Sequence, residues 1–163
     1  MKIDKDTVVF ITGGAQGLGF ATAQYLVDFH EAKIFIIDLD ENKLYDATRR
    51  LGGLAVALPD APPYTVDDKP RARVAYKVCD VSIPEQVEAA IKHCVKVYGK
   101  IDAAISCAGI AAYSCTYNEA LNLELDLDIC KNTMNVNYFG SLHLAKYASK
   151  AMAKNTPNER GER

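Results

Sequence analysis

Val8-Val-Phe-Ile-Thr-Gly-Gly-Ala-Gln-Gly-Leu-Gly19 sets a short apolar run directly against a glycine-rich turn. Val8, Val9, Phe10 and Ile11 do not alternate with polar residues, which is how a strand covered on both faces reads. Beyond the turn, Leu18, Ala21, Tyr25 and Leu26 recur at helical spacing with Thr22 and Gln24 between them, so the turn joins the carboxyl end of a strand to the amino end of a helix. That junction suits a pyrophosphate: the first helical turn offers unpaired N–H groups and the positive end of the helix dipole. A side chain at Gly13, Gly17 or Gly19 would hold the backbone away from the phosphates, clash with the strand, or forbid a positive φ.

Outward from this turn the pattern repeats. Residues 33–37 read as a second strand ending at Asp38, a carboxylate about twenty residues past the glycines, where an NAD-type ribose presents its hydroxyls. Such a carboxylate also repels a 2′-phosphate. Capping of a following helix is the alternative reading of Asp38. Residues 41–51 form a helix with Leu44, Ala47 and Leu51 on one face. Residues 52–73 hold four prolines, two glycines and little periodicity, and read as an inserted surface loop. A third strand spans residues 74–78. Ser82-Ile-Pro-Glu85 then has the form of a capping box with Ser82 as the cap, opening a helix that runs to Tyr98 and stops at Gly99. Residues 101–106 supply a fourth strand leading into Cys107-Ala108-Gly109. From a cap at Asp126, one long helix carries Leu127, Cys130, Met134, Asn137, Ser141, Leu144 and Ala148 along one side to about Ala153. Residues 155–163 are polar and read as a connection. The expected fold is α/β, a single domain over residues 1–163 with a parallel sheet, right-handed crossovers and helices on both faces.

Composition narrows the function classes. With 163 residues and 49% hydrophobic content, the chain can bury a core. Its net charge of −2 and scattered basic residues offer no stripe to neutralise a nucleic-acid backbone. No apolar run approaches the roughly twenty residues of a membrane span, and the polar start is unlike a secretory or transit segment, so a soluble intracellular protein is expected. Five cysteines, Cys79, Cys94, Cys107, Cys115 and Cys130, include no Cys-x-x-Cys pair. That argues against a disulfide framework or zinc site, and no metal is expected.

Thr12-Gly-Gly-Ala-Gln-Gly-Leu-Gly19, Asp38, Asp80-Val81, Cys107-Ala-Gly109 and Asn137-Tyr-Phe-Gly140 together resemble the short-chain dehydrogenase/reductase family. Within it, residues 107–118 and 155–161 are similar to the 3-hydroxyacyl-CoA dehydrogenases of type 2. The resemblance implies a Rossmann-type sheet and NAD as cofactor. Gly13, Gln16, Gly17, Leu18 and Gly19 would face the pyrophosphate, Asp38 and Leu39 the adenosine ribose, and Asp80 and Val81 the adenine. Cys107, Ala108 and Gly109 would lie beside the nicotinamide ribose. A turn residue at Asp80 and a core filler at Cys107 are the alternatives. Asn137 would lie in a bent helix and hold a water of the family's four-residue catalytic set. The implied substrate is a small alcohol or ketone, in a cytoplasmic or mitochondrial setting.

The family moves the hydroxyl proton with a tyrosine followed four residues later by a lysine, after a serine-bearing fifth strand. No such pair occurs in this sequence, and Tyr147-Ala-Ser-Lys150 has the wrong spacing. The fold is therefore expected to stop after its fourth strand and the following helix, and the chain to be inactive alone. The fourth strand would be an open edge, and the long helix a surface for homo-oligomer formation or for completion by further chain. Three readings stay open: part of a larger enzyme, a split fold, or a nucleotide-binding pseudoenzyme or assembly subunit.

Overall fold

In the computed structural model, residues 2–52, 73–112, 116–121, 123–157 and 161 are described, so the loop expected over residues 52–73 lies outside them except at its ends. Four strands form one parallel sheet in the order β3-β2-β1-β4: β1 (Val8–Thr12), β2 (Lys33–Asp38), β3 (Val74–Val78) and β4 (Ala103–Ser106). Val8 pairs with Lys33, Val9 with Ala103, and Ile34 with Val74. Between them run α1 (Gly17–His30), α2 (Glu41–Arg50) and α3 (Pro84–Tyr98).

The absence of alternation in β1 and β2 has its cause here, since both faces are covered. Val8, Phe10, Phe35 and Ile37 pack on one side with α3 residues such as Val87, Ile91 and Cys94. Val9, Ile11, Ile34 and Ile36 pack on the other with Ala23 and Leu26 of α1 and Leu44 and Ala47 of α2. Phe10 and Phe35 stack with ring centroids 5.4 Å apart, locking the two central strands in register.

Of the α1 residues expected to share a face, only Leu26 is buried; Leu18 and Tyr25 are exposed, and Gly19, Phe20, Ala23 and Leu26 meet the sheet. The glycine turn explains this rotation. A Cβ on Gly19 would collide with the Gly13 carbonyl oxygen, so the helix is docked with its glycine inward. The capping box is also displaced. Pro84, lacking an N–H, takes the first helical position and puts the N-cap on Ile83, with no side-chain cap. Ser82 instead donates its hydroxyl to Asp80, and Gln86 rather than Glu85 reaches back, its Oε1 accepting from Asp80 N at 2.8 Å.

After β4 a small antiparallel pair, β5 (Tyr117–Asn118) and β6 (Leu123–Glu124), precedes α4 (Leu127–Met134), which Asp126 caps as expected. The long helix is not uniform. A π-helical turn, Asn135–Phe139, separates α4 from α5 (Gly140–Met152). One extra residue in a turn shifts the helical phase by about 100°, so the expected single stripe is broken: Leu144 and Ala148 are buried against α3 and Gly140 against Val81, whereas Leu127 and Met134 are exposed. Lys146 and Lys150 face solvent.

Candidate functional site

All four strands run the same way, so their carboxyl ends share one edge of the sheet, and the loops that follow them carry the expected residues. The glycine turn leaves β1 with Gly13 at φ +64° and Gly17 at φ +56°, both left-handed. At Gly13 a Cβ would stand 2.7 Å from Ala108 N and 2.8 Å from the Cys107 carbonyl carbon. The first and fourth strand ends therefore touch through bare backbone. Gly17 is the opposite case, since a Cβ there would meet nothing within 4 Å. Open space thus lies in front of the first turn of α1, where Gln16 gives no side-chain cap. This is a cradle for an anion: free N–H groups and a dipole end, with no side chain in the way.

Thr12, almost fully buried, ties the two loops together. Its Oγ1 accepts from Cys107 N at 3.2 Å and from Ala108 N at 3.1 Å. Sequence reading gave Thr12 no role, although a hydroxyl ending a buried apolar strand is a signal that it must be bonded.

At the end of β2, Asp38 Oδ2 accepts from Ala15 N at 3.2 Å and Oδ1 from Leu39 N at 2.8 Å. The carboxylate is thus aimed by the glycine turn itself and keeps acceptor capacity, since each oxygen can take a second donor. Capping falls to Asp40, whose side chain accepts from Lys43 N, so the capping alternative for Asp38 is removed. Leu39 beside it is exposed.

Past β3, Asp80 Oδ1 accepts from Ser82 N at 2.8 Å and Ser82 Oγ at 2.7 Å, leaving Oδ2 as the oxygen not used by the turn. Val81 beside it is buried. Cys79, just before, is 1% exposed and its thiol is pushed up to about 12, first by burial and then by the Asp80 charge. It is a packed, protonated thiol, as is Cys94, raised further by burial.

Cys107, Ala108 and Gly109 follow β4. Cys107 is half-buried, and burial raises its thiol pKa. Asn137, inside the π-helical turn, clamps the next residue: its Oδ1 accepts from Ile110 N at 2.8 Å and its Nδ2 donates to Ile110 O at 2.9 Å. A Cβ on Gly109 would stand 3.3 Å from the same Oδ1. The Asn137 backbone carbonyl accepts from Ser141 Oγ, which also pairs with Ser106 Oγ at 2.9 Å. Neither the Asn137–Ile110 pair nor the Ser106–Ser141 pair was legible, because these contacts cross 27 and 35 residues. Asn132 and Asn135 are exposed. Among the described residues no group of three or more potential metal-ligating side chains occurs, and no helix is long and apolar enough to cross a membrane.

Residues 7–161 match the family model described as short chain dehydrogenase. The 3-hydroxyacyl-CoA dehydrogenase type-2 of Rattus norvegicus is 30% identical over 159 residues, covering 98% of this chain and 53% of its own length. A short-chain type dehydrogenase/reductase from Mycobacterium ulcerans has the same fold, with a TM-score of 0.76 at 19% identity over 97% of this chain and 50% of that one. Levodione reductase superposes with a TM-score of 0.70 at 28% identity over 93% and 50%. The chain spans about half the length of the relatives it matches. With the sheet order, the glycine turn and this match over nearly every residue, the chain belongs to the short-chain dehydrogenase family.

Proposed function

We propose that the chain is the NAD(H)-binding part of a short-chain dehydrogenase that oxidises a secondary alcohol of the 3-hydroxyacyl-CoA or hydroxysteroid type. The observation that carries this reading is the open backbone at Gly17, set between close-packed Gly13 and Gly19, in line with Asp38, Asp80 and Cys107 at the other strand ends. Family membership implies a nicotinamide dinucleotide, and the residues present fit one. When bound, that group supplies the hydride acceptor. The chain's own part is binding and orientation: the start of α1 takes the pyrophosphate, Asp38 accepts from the ribose hydroxyls and disfavours a 2′-phosphate, Asp80 Oδ2 accepts from the adenine amine, and the Cys107–Gly109 backbone borders the nicotinamide ribose. Asn137 holds that last turn through Ile110.

The type of substrate is suggested by the name of the Rattus norvegicus relative. No tyrosine in this sequence is followed four residues on by a lysine, so in this reading the alcohol proton is moved by groups outside these 163 residues. Association has a surface to use: Leu127, Met134 and Phe139 are exposed around a cleft of about 400 Å³. That patch suits a homo-oligomer contact.

Thiol accessibility tests the placement of the nicotinamide end. At dilutions where the cleft that Cys130 lines is not covered by a second copy, iodoacetamide is expected to label Cys130 and, more slowly, Cys107, with Cys79 and Cys94 protected by burial. Saturating NADH should slow Cys107 labelling at least about fivefold and leave Cys130 unchanged, read by peptide mass mapping. Labelling of Cys107 at the same rate with and without NADH would count against the assignment.

A further inference from the structure

The start of α5 grips the Asp80–Val81 loop at two points. A Cβ on Gly140 would stand 2.8 Å from Val81 Cγ2, so helix and loop meet with no room for a side chain. One turn on, His143 Nδ1 lies 2.9 Å from the Val81 carbonyl oxygen. A carbonyl only accepts, so Nδ1 carries the hydrogen and donates it. The same helical segment, three residues before Gly140, holds the other loop through the two Asn137–Ile110 hydrogen bonds. Residues 137–143 thus fix the loops after both β3 and β4, the two edge strands of the sheet.

We infer that His143 is a positioning residue for the adenine end of the cofactor cleft: through the Val81 carbonyl it sets the backbone that faces the adenine. The inference rests on the dinucleotide reading of the site. The Val81 side chain is packed against Gly140 and its carbonyl is taken by His143, which leaves its peptide N–H as the group it can offer a ligand. The orientation of that peptide is therefore what recognition depends on. His143 acts through Val81.

The test compares ADP-ribose and NADH binding by calorimetric titration of the full chain, well below its unfolding midpoint. His143→Leu removes the donor at similar volume and is expected to weaken both ligands about tenfold. His143→Asn places an amide N–H the same number of bonds from Cβ as Nδ1 and should restore affinity to within about twofold. A purely structural role would lower the unfolding midpoint of both variants and leave affinity alone. A folded His143→Leu that binds ADP-ribose like the wild type overturns the inference, as does an Asn variant as weak as Leu. If the Leu variant does not fold, Gly140→Ala displaces the same loop with His143 retained, and unchanged ADP-ribose affinity there overturns it equally. Wild-type protein that binds neither ligand removes the dinucleotide reading itself, an outcome that no comparison among variants imitates.

Discussion

Gly17→Ala should leave the protein folded and remove most of its dinucleotide affinity, whereas Gly13→Ala should cost the fold. Both positions are left-handed, at φ +56° and +64°, so each substitution carries about 1–2 kcal/mol of backbone strain. They differ in what the new methyl meets. At Gly17 it meets nothing within 4 Å, so strain is the whole cost to stability. At Gly13 it meets Ala108 N at 2.7 Å and the Cys107 carbonyl carbon at 2.8 Å, and neither can move without pulling the Thr12 hydrogen bonds apart. The added cost there is about 1–3 kcal/mol or more, a large part of a typical domain's total stability. For binding the order reverses. In the proposed reading the Gly17 methyl would stand in the space through which the backbone approaches the pyrophosphate, so NADH affinity should fall at least about tenfold. Urea unfolding and NADH titration of both variants check this. Equal stability loss in the two, or wild-type NADH affinity in Gly17→Ala, would contradict it.

Asp38→Ala should change which dinucleotide is preferred. In the wild type the carboxylate is held by Ala15 N–H and Leu39 N–H, and is therefore fixed beside the glycine turn, where the proposed reading puts the ribose. Removing it deletes charge-assisted acceptors for the ribose hydroxyls, worth about 1.5–3 kcal/mol. It also removes the charge that opposes a 2′-phosphate. The ratio of NADPH to NADH dissociation constants is expected to fall at least about tenfold, with NADH binding weakened. A variant that keeps the wild-type ratio would show that Asp38 does not face the ribose.

The fold was legible because its signals are local. The unbroken apolar runs of β1 and β2, the Leu44–Ala47–Leu51 face of α2 and the Gly99 stop each follow from residues near in sequence. Where position depended on distant packing, the reading slipped. Gly19 turned α1 by docking on Gly13, Pro84 moved the start of α3 off Ser82, and the π-helical turn re-phased the last helix. Periodicity has no access to such shifts. The strand-end residues could be listed from the motifs, but the bonds that orient them, Thr12 to Cys107 and Ala108, Ala15 to Asp38, Asn137 to Ile110 and His143 to Val81, join loops far apart in the chain.

Titration of the wild-type chain with NADH and NADPH tests the central claim most directly. The chain has no tryptophan, so the reduced nicotinamide's own emission can be followed without overlap. A cradle at the strand ends, with Asp38 beside it, predicts saturable binding of both and at least about tenfold tighter binding of NADH. A folded chain that shows no saturable NADH binding, or that prefers NADPH, would contradict the account.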